Sequence, residues 1–327
     1  MKKTLTASHA QPAKKNNLTS LSGLLLIDKS ADWTSHDVVA KVRGIAKTRR
    51  VGHAGTLDPM ATGLLILGLN NATKLLTFLV GEDKTYITTI RLGASTLTDD
   101  RESEFLTTAN PQILQQVSLE SIKASVSKLT GEILQVPSSV SAIKVNGERA
   151  YAKVRGGDEV KLAARPITVS RFEVLGEPRM VNVNGHDFID IDAIIDCSSG
   201  TYIRALARDL GADLQVGAHL TALRRTRIGG YHLTEAVRLE DLKPDDLKIL
   251  PSSQAARAQF DTRELTAQEV IDLRHGKRLK LGEISPSPSA KDRTIAAFAP
   301  DGALVAMLAN SGGQLKSQVV FQEESNG

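Results

Sequence analysis

One loop in the first quarter of the chain presents a carboxylate in a setting that favours chemistry. Residues 52–63 place three glycines and one proline around Asp58. We predict no regular element there, because glycine opens backbone conformations that other residues avoid and proline fixes φ. The apolar run at 64–69 follows directly and predicts a buried strand. Asp58 is therefore expected in a tight loop that leads into the core.

Residue chemistry alone leaves two interpretations of Asp58 open. An aspartate before proline commonly caps its own turn, and His53 in the same loop has an equally ordinary interpretation as a loop hydrogen bonder. A loop held by a rigid scaffold is also where catalytic groups are often placed. The neighbouring sequence lacks the second carboxylate of a glycosidase pair, a Cys/His metal cluster and the Lys-Ser/Thr ending of a P-loop.

The same loop resembles the catalytic-loop motif of the TruB family of tRNA pseudouridine synthases, G-H-x-G-x-L-D-P-x-A-x-G. Four later stretches resemble further motifs of that family. They are K-x-Y at 84–86, S-A-x-K-x-x-G-x-R-A-Y at 141–151, C-S-x-G-T-Y-I-R at 197–204 and G-A-H-x-x-x-L-R-R at 217–225. The resemblance covers residues 22–240 strongly and residues 262–322 loosely. One stretch departs from the family pattern, because residues 95–102 lack the glycine of its T-x-T-x-D-x-x-G-like segment.

The resemblance implies an isomerase that converts uridine to pseudouridine at position 55, in the T arm of tRNA, without a metal or organic cofactor. In that reaction the glycosidic N–C bond breaks, the uracil turns, and a C–C bond forms to the same ribose. Asp58 is the implied catalytic residue, and an arginine partner favours the ionised carboxylate that a nucleophile needs. The implied substrate-binding residues are His53, Tyr86, Tyr202, Arg204 and Leu223. Tyr86 would stack on a flipped-out base, since every base presents a π-face.

Basic side chains cluster beside three of these stretches. Each cluster has an ordinary structural interpretation: cations at a helix C-terminus, a solvated loop, or the solvated face of a strand. The functional interpretation is a contact with RNA phosphates, and for the cluster beside the Asp58 loop both interpretations stay open. The predicted backbone-contacting residues are Arg49, Arg50, Lys144, Arg149, Arg224 and Arg225.

Composition fits this prediction without requiring it. The 327 residues include 41 Lys and Arg against 37 Asp and Glu, which gives a net charge of +4 and suits a nucleic-acid partner. The single cysteine, Cys197, cannot form an intrachain disulfide and is expected to be a buried small residue. No run is long and apolar enough to span a bilayer. We expect a cytoplasmic monomer that binds tRNA.

The fold class that the resemblance implies is α+β. It comprises the pseudouridine synthase fold, a mixed and largely antiparallel sheet with helices, plus a small β-rich, PUA-like C-terminal domain. We predict a mobile basic tail at 1–22, a catalytic domain at 23–240, a linker at 241–262 and the PUA-like domain at 263–322. An RNA-contacting insertion is expected at about 130–165, within the catalytic domain.

Two other functional classes are worth testing. A non-catalytic RNA-binding or tRNA-folding protein on the same scaffold predicts loss or replacement of Asp58, which this chain retains. A glycoside hydrolase needs a second carboxylate near Asp58, and an arginine in that place would remove this alternative.

Overall fold

The computed structural model describes residues 22–138, 144–145, 148–149, 162–287 and 294–322. Its helices are α1 Ser35–Ala46, α2 Leu76–Leu79, α3 Pro111–Leu114, α4 Leu119–Lys128, α5 Ile203–Asp213, α6 Ser252–Gln259 and α7 Ala267–Arg274. Its strands are β1 Gly23–Lys29, β2 Val51–Ala54, β3 Thr62–Leu69, β4 Lys84–Leu92, β5 Ala94–Thr96, β6 Phe105–Thr108, β7 Gly131–Gln135, β8 Lys144–Val145, β9 Glu148–Arg149, β10 Arg165–Val183, β11 His186–Cys197, β12 Ala218–Ile228, β13 Tyr231–His232, β14 Val237–Arg238, β15 Leu250–Pro251, β16 Asp261–Glu264, β17 Leu279–Lys280, β18 Thr294–Phe298, β19 Leu304–Ser311 and β20 Gln314–Val320. None of these helices has the length and apolar character needed to cross a membrane.

A large mixed sheet forms the centre of the molecule. Its strand order is β14-β1-β3-β12-β4-β11-β10-β7, with β15, β2 and β13 attached to β1, β3 and β12. The β3–β12 and β1–β14 pairs are parallel, and the other neighbours are antiparallel. A smaller sheet follows in the order β16-β18-β19-β20-β17. This architecture confirms the predicted α+β class with its β-rich C-terminal part.

Local sequence explains where the first helix begins. Thr34 and Asp37 form a capping box, in which each side chain accepts a hydrogen bond from the other residue's backbone N–H. Val38, Val39 and Val42 lie on the buried face of α1, as their spacing predicts. The cap matters for the site, because α1 begins directly beside the Asp58 loop.

The loop itself is more regular at its ends than we predicted. Residues 52–54 belong to β2 and residues 62–63 to β3, so the expectation of no regular element over 52–63 is wrong there. The reason is close packing. Gly52 pairs with Gly68, and a Cβ on Gly68 would lie 2.8 Å from the carbonyl oxygen of Ala72. Glycine therefore serves here to bring strands and the following turn together.

The segment predicted as a linker is ordered and packed. It contains β15, which pairs with β1, and α6, which buries Ala255, Ala256 and Gln259. One apolar cluster joins the large sheet, α6 and the small sheet; its members include Leu24, Ile66, Ala255, Phe298, Met307 and Phe321. Lys74 adds a polar contact, since its Nζ donates to the carbonyl oxygen of Val320 at 2.9 Å. The basic tail lies outside the described residues, apart from Ser22, and so does most of the insertion.

Candidate active site

Two buried side chains hold the backbone on either side of Asp58. The Ser35 hydroxyl, at the start of α1, accepts from the backbone N–H of Leu57 at 2.9 Å and donates to its carbonyl at 3.1 Å. Lys29, at the end of β1, donates to the carbonyl oxygen of Pro59 at 3.1 Å. Burial lowers the pKa of the Lys29 ammonium to about 8. Asp58 is therefore flanked by residues whose backbones are fixed.

Arg225 fixes the preceding part of the loop. This side chain on β12 is 1% exposed and donates to the carbonyl oxygens of Gly55, Thr56 and Leu64. Such burial does not fit a phosphate contact, so we replace the predicted RNA role of Arg225 with a structural one. Strand β3 must also approach closely, because a Cβ on Gly63, whose φ is +98°, would lie 2.3 Å from the Arg225 carbonyl oxygen.

The loop points its carboxylate at the first turn of α5. Arg204 Nε lies 3.0 Å from Asp58 Oδ2, with Arg204 7% and Asp58 35% exposed. The same nitrogen is 3.6 Å from Asp100 Oδ2, a carboxylate that is 1% exposed, and Arg204 Nη1 donates to the carbonyl oxygen of Thr98 at 2.8 Å. The guanidinium is thus held from the far side while one carboxylate stays open to solvent.

A cavity of about 360 Å³ opens beside this ion pair. Tyr86 from β4 and Leu223 from β12 are buried in its wall, and Tyr202 and Arg204 line it from the start of α5. Burial raises the pKa of the Tyr86 hydroxyl, which keeps the ring neutral. Lys84 also lines the cavity, with its pKa lowered to about 8 by burial, and it donates to two carbonyl oxygens of the turn before β4.

His53 lies on β2 and is not among the residues that line this cavity. Its ring meets the exposed ring of His36 edge to face, with centroids 5.7 Å apart. Burial lowers the pKa of His53, and its Nδ1 is buried without a hydrogen-bond partner among the described residues. The structure therefore places His53 near the loop but apart from the wall formed by Tyr86, Tyr202, Arg204 and Leu223.

The other basic residues differ in how available they are. Arg49 and Arg50 are exposed after α1. Arg224 is partly exposed and already paired, since its Nη2 donates to Asp28 Oδ2 at 2.6 Å. Lys144 and Arg149 pair through their backbones in the β8–β9 hairpin, and their side chains lie outside the described residues.

Three residues of the site escaped the sequence analysis. Lys29 had one signal in the sequence, its place at the end of an apolar strand. A fully buried lysine is unusual. Ser35 stands outside the family-like stretches, and Asp100 lies in the stretch that departs from the family pattern. The spacing of neighbouring residues could not reveal their partners, which are at least 22 residues away along the chain.

The arrangement argues against a glycoside hydrolase. Such enzymes place two carboxyl groups on either side of the bond that is cleaved. Here the group beside Asp58 is Arg204, and Asp100 is too buried to reach a substrate. Glu102 is a second exposed carboxylate that interacts with Asp58 through its charge, but the cation that contacts Asp58 fits a nucleophile or base better than an acid–base pair.

Comparison with known proteins gives the family. Residues 43–203 match the family described as TruB family pseudouridylate synthase (N terminal domain). Residues 204–249 match the tRNA pseudouridylate synthase B C-terminal domain, and residues 260–322 match tRNA pseudouridine synthase II, C terminal.

Curated relatives cover nearly the whole chain. The protein named tRNA pseudouridine synthase B from Arthrobacter sp. (strain FB24) is 55% identical over 92% of this chain and 97% of its own length. Its namesake from Leifsonia xyli subsp. xyli (strain CTCB07) is 54% identical over 92% and 96%. Among solved structures, an archaeal box H/ACA sRNP Nop10-Cbf5 complex superposes with a TM-score of 0.67 at 23% identity, over 96% of this chain and 90% of that one, which supports the fold.

Proposed function

This chain belongs to the TruB family of pseudouridylate synthases, and from that premise we propose that it isomerises uridine to pseudouridine at position 55 in the T arm of tRNA. The observation that carries the proposal is the Asp58–Arg204 ion pair at the edge of an open cavity. A carboxylate in this setting is fixed in direction and reachable by a substrate.

Asp58 is the proposed catalytic residue. It starts the cleavage of the glycosidic bond, by attack on the base, by attack on the ribose or by removal of a ribose proton. Arg204 contacts the carboxylate and holds its direction, and the fixed backbone of residues 57 and 59 limits its movement. A carboxylate held in this way loses little entropy on reaching the transition state.

Tyr86 and Leu223 are the proposed walls for the uracil ring. Both are buried and both line the cavity, so the base can stack and lose water there. Tyr202 completes the wall from the start of α5. A base must leave its stack to reach this cavity, which costs a few kcal/mol.

Contacts with the tRNA backbone offset that cost. Arg49 and Arg50 are exposed after α1 and are the strongest candidates for phosphate contacts, because neither needs to break a described ion pair. His53 contacts the ring of His36 near the start of α1, and we assign His53 to the T loop. Arg224, Lys144 and Arg149 are secondary candidates.

The proposal is tested by tritium release from a tRNA transcript labelled at uridine C5, since pseudouridine formation frees that hydrogen. Wild type is compared with Asp58→Asn, which keeps the shape of the side chain. We expect release by wild type and none by the variant, while both bind tRNA with the same Kd. Asp213→Asn, at the opposite end of α5, serves as the matched control and retains full activity.

Each other outcome is informative. Tight tRNA binding without release by either protein would support the RNA-binding alternative. Equal release by wild type and Asp58→Asn would place the chemistry elsewhere. We further propose that the protein is cytoplasmic and acts as a monomer; sedimentation of the protein alone and with tRNA would test the monomeric state.

A further inference from the structure

A second layer of polar side chains lies behind Arg204, on the side away from Asp58. Ser138 is buried, and its Oγ donates to Asp99 Oδ2 at 2.7 Å. Arg204 Nη1 donates to the same Oγ at 3.4 Å. Arg208, one turn further along α5, places its Nη1 3.6 Å from Asp99 Oδ2. Four side chains thus form a continuous chain of contacts that ends at the Asp58 carboxylate.

The direction of each hydrogen bond follows from the donors that are available. A serine hydroxyl carries one proton, and here that proton points to Asp99. The oxygen lone pairs are then left to face the Arg204 guanidinium, which can only donate. Asp99 therefore fixes Ser138 as an acceptor for Arg204. Without Asp99 the hydroxyl is free to turn its proton towards a cation.

The backbone around this layer is also fixed. Asp99 has a φ of +57°, in the left-handed region that aspartate and asparagine tolerate best among non-glycine residues, and its carbonyl accepts from the N–H of Leu220 at 3.0 Å. Gln135, which precedes Ser138 on the same segment, exchanges two hydrogen bonds with the backbone of Tyr202, at 2.9 and 3.0 Å. The layer is consequently anchored to the start of α5 at two points, through Gln135 at the N-cap residue Tyr202 and through Ser138 at Arg204.

We infer that Asp99 and Ser138 are positioning residues for the reaction, which orient the Arg204 guanidinium and, through it, the Asp58 carboxylate. The inference rests on the proposed function, because it takes Asp58 as the catalytic residue. Burial strengthens the effect, since a hydrogen-bond chain with little access to water is held by fixed partners rather than by solvent. Neither residue reaches the cavity, so neither is expected to contact the tRNA.

The test compares two variants with two matched controls that lie at the opposite end of α5. Asp99→Asn keeps the shape and tolerates the left-handed backbone, and Ser138→Ala removes the hydroxyl. The controls are Asp213→Asn and Ser125→Ala, because Ser125 Oγ donates to Asp213 in a similar pair near the end of α5. We expect single-turnover tritium release to slow about tenfold in both test variants, with an unchanged Kd for tRNA. Both controls should match wild type.

A double variant separates positioning from a general loss of structure. If Asp99 acts through the Ser138 hydroxyl, Asp99→Asn combined with Ser138→Ala releases tritium at the rate of Ser138→Ala alone. The inference would be overturned if the rate of the double variant fell by the product of the two single-variant losses. Weaker tRNA binding in place of a slower rate would overturn it too. Wild-type rates in both test variants would overturn it as well. Absence of release by wild type and by both controls would instead refute the proposed function.

Discussion

The two ends of α5 carry the same kind of polar group with opposite consequences. Near the start, Ser138 and Arg208 meet Asp99; near the end, Ser125 and Lys128 meet Asp213. Arg204 in the first turn and Asp213 in the last both have the charge that the helix dipole disfavours. Each end therefore needs partners of the opposite charge.

Burial is what distinguishes the two ends. Arg204 and Asp100 are 7% and 1% exposed, whereas Lys128 and Asp213 are 65% and 33% exposed. Water can replace any partner lost at the end of the helix, but not at its start. On this helix the protein withholds solvent from the charge placed against the dipole at the start, and leaves the one at the end open to water.

The largest expected effect comes from Arg204→Gln. The change leaves Asp100 buried without its cation and frees Asp58 to move, so we expect a loss of about 3–5 kcal/mol in the free energy of unfolding. Single-turnover tritium release should slow about 100-fold or more. Urea unfolding and quenched-flow assays measure the two effects. A variant that is both stable and active would show that solvent reaches the start of α5 after all.

Lys29→Met tests the same buried region from the opposite side of the loop. The lysine donates to the carbonyl oxygens of Pro59, Trp33 and Ser30, which methionine leaves unsatisfied. We expect a loss of about 2–4 kcal/mol in unfolding free energy and a rate about tenfold lower. Lys41→Met, which removes one lysine contact to the Leu239 carbonyl, is the control and should lose less on both counts.

The pH dependence of stability should have opposite signs at the two ends of α5. Burial raises the pKa of Asp99 above its unfolded value. Ser138, Arg208 and Arg204 oppose this rise in the pKa, and Asp209 adds to it. Its ionised form therefore weakens the fold, and acidification below neutral pH should stabilise wild type relative to Asp99→Asn. Lys128 and Ser125 lower the pKa of Asp213. These contacts with the ionised Asp213 therefore stabilise the fold. Their contribution is present above the unfolded pKa of Asp213 and is lost as the pH falls through its folded pKa.

Thermal unfolding from pH 7 to pH 3.5 measures both differences. The gap between wild type and Asp99→Asn should move in favour of wild type as the pH falls, and the gap for Asp213→Asn should move the other way. Parallel curves for the two variants would mean that their environments do not differ as the burial implies.

The smallest effect is expected for Lys128→Ala. The pair with Asp213 is exposed, so its loss should cost less than about 1 kcal/mol and still less at high salt. Tritium release should equal that of wild type. Urea unfolding at low and high ionic strength measures this loss of unfolding free energy. A larger loss would contradict the proposed difference in solvent access between the two ends of α5.

The sequence predicted the parts of the site that lie in compact motifs. The Asp58 loop and the strand after it could be inferred from neighbouring residues, and Arg204 from the family-like stretch at 197–204. The layer behind them could not, because Asp99 and Ser138 meet only after the chain has folded back over 39 residues. Arg225 was predicted on the surface, since nothing local distinguishes an arginine that satisfies loop carbonyls from one that meets phosphate.

The apolar cluster shared by the two sheets makes the C-terminal region part of the same cooperative unit as the catalytic sheet. Leu24 and Ile66 belong to one apolar cluster with Phe298, Met307 and the small residues of α6, so the two sheets share part of their core. Shortening the chain before β16 would expose the underside of the very strands that frame the Asp58 loop. Heating should accordingly give one calorimetric transition, and a protease should find no early cut between the sheets.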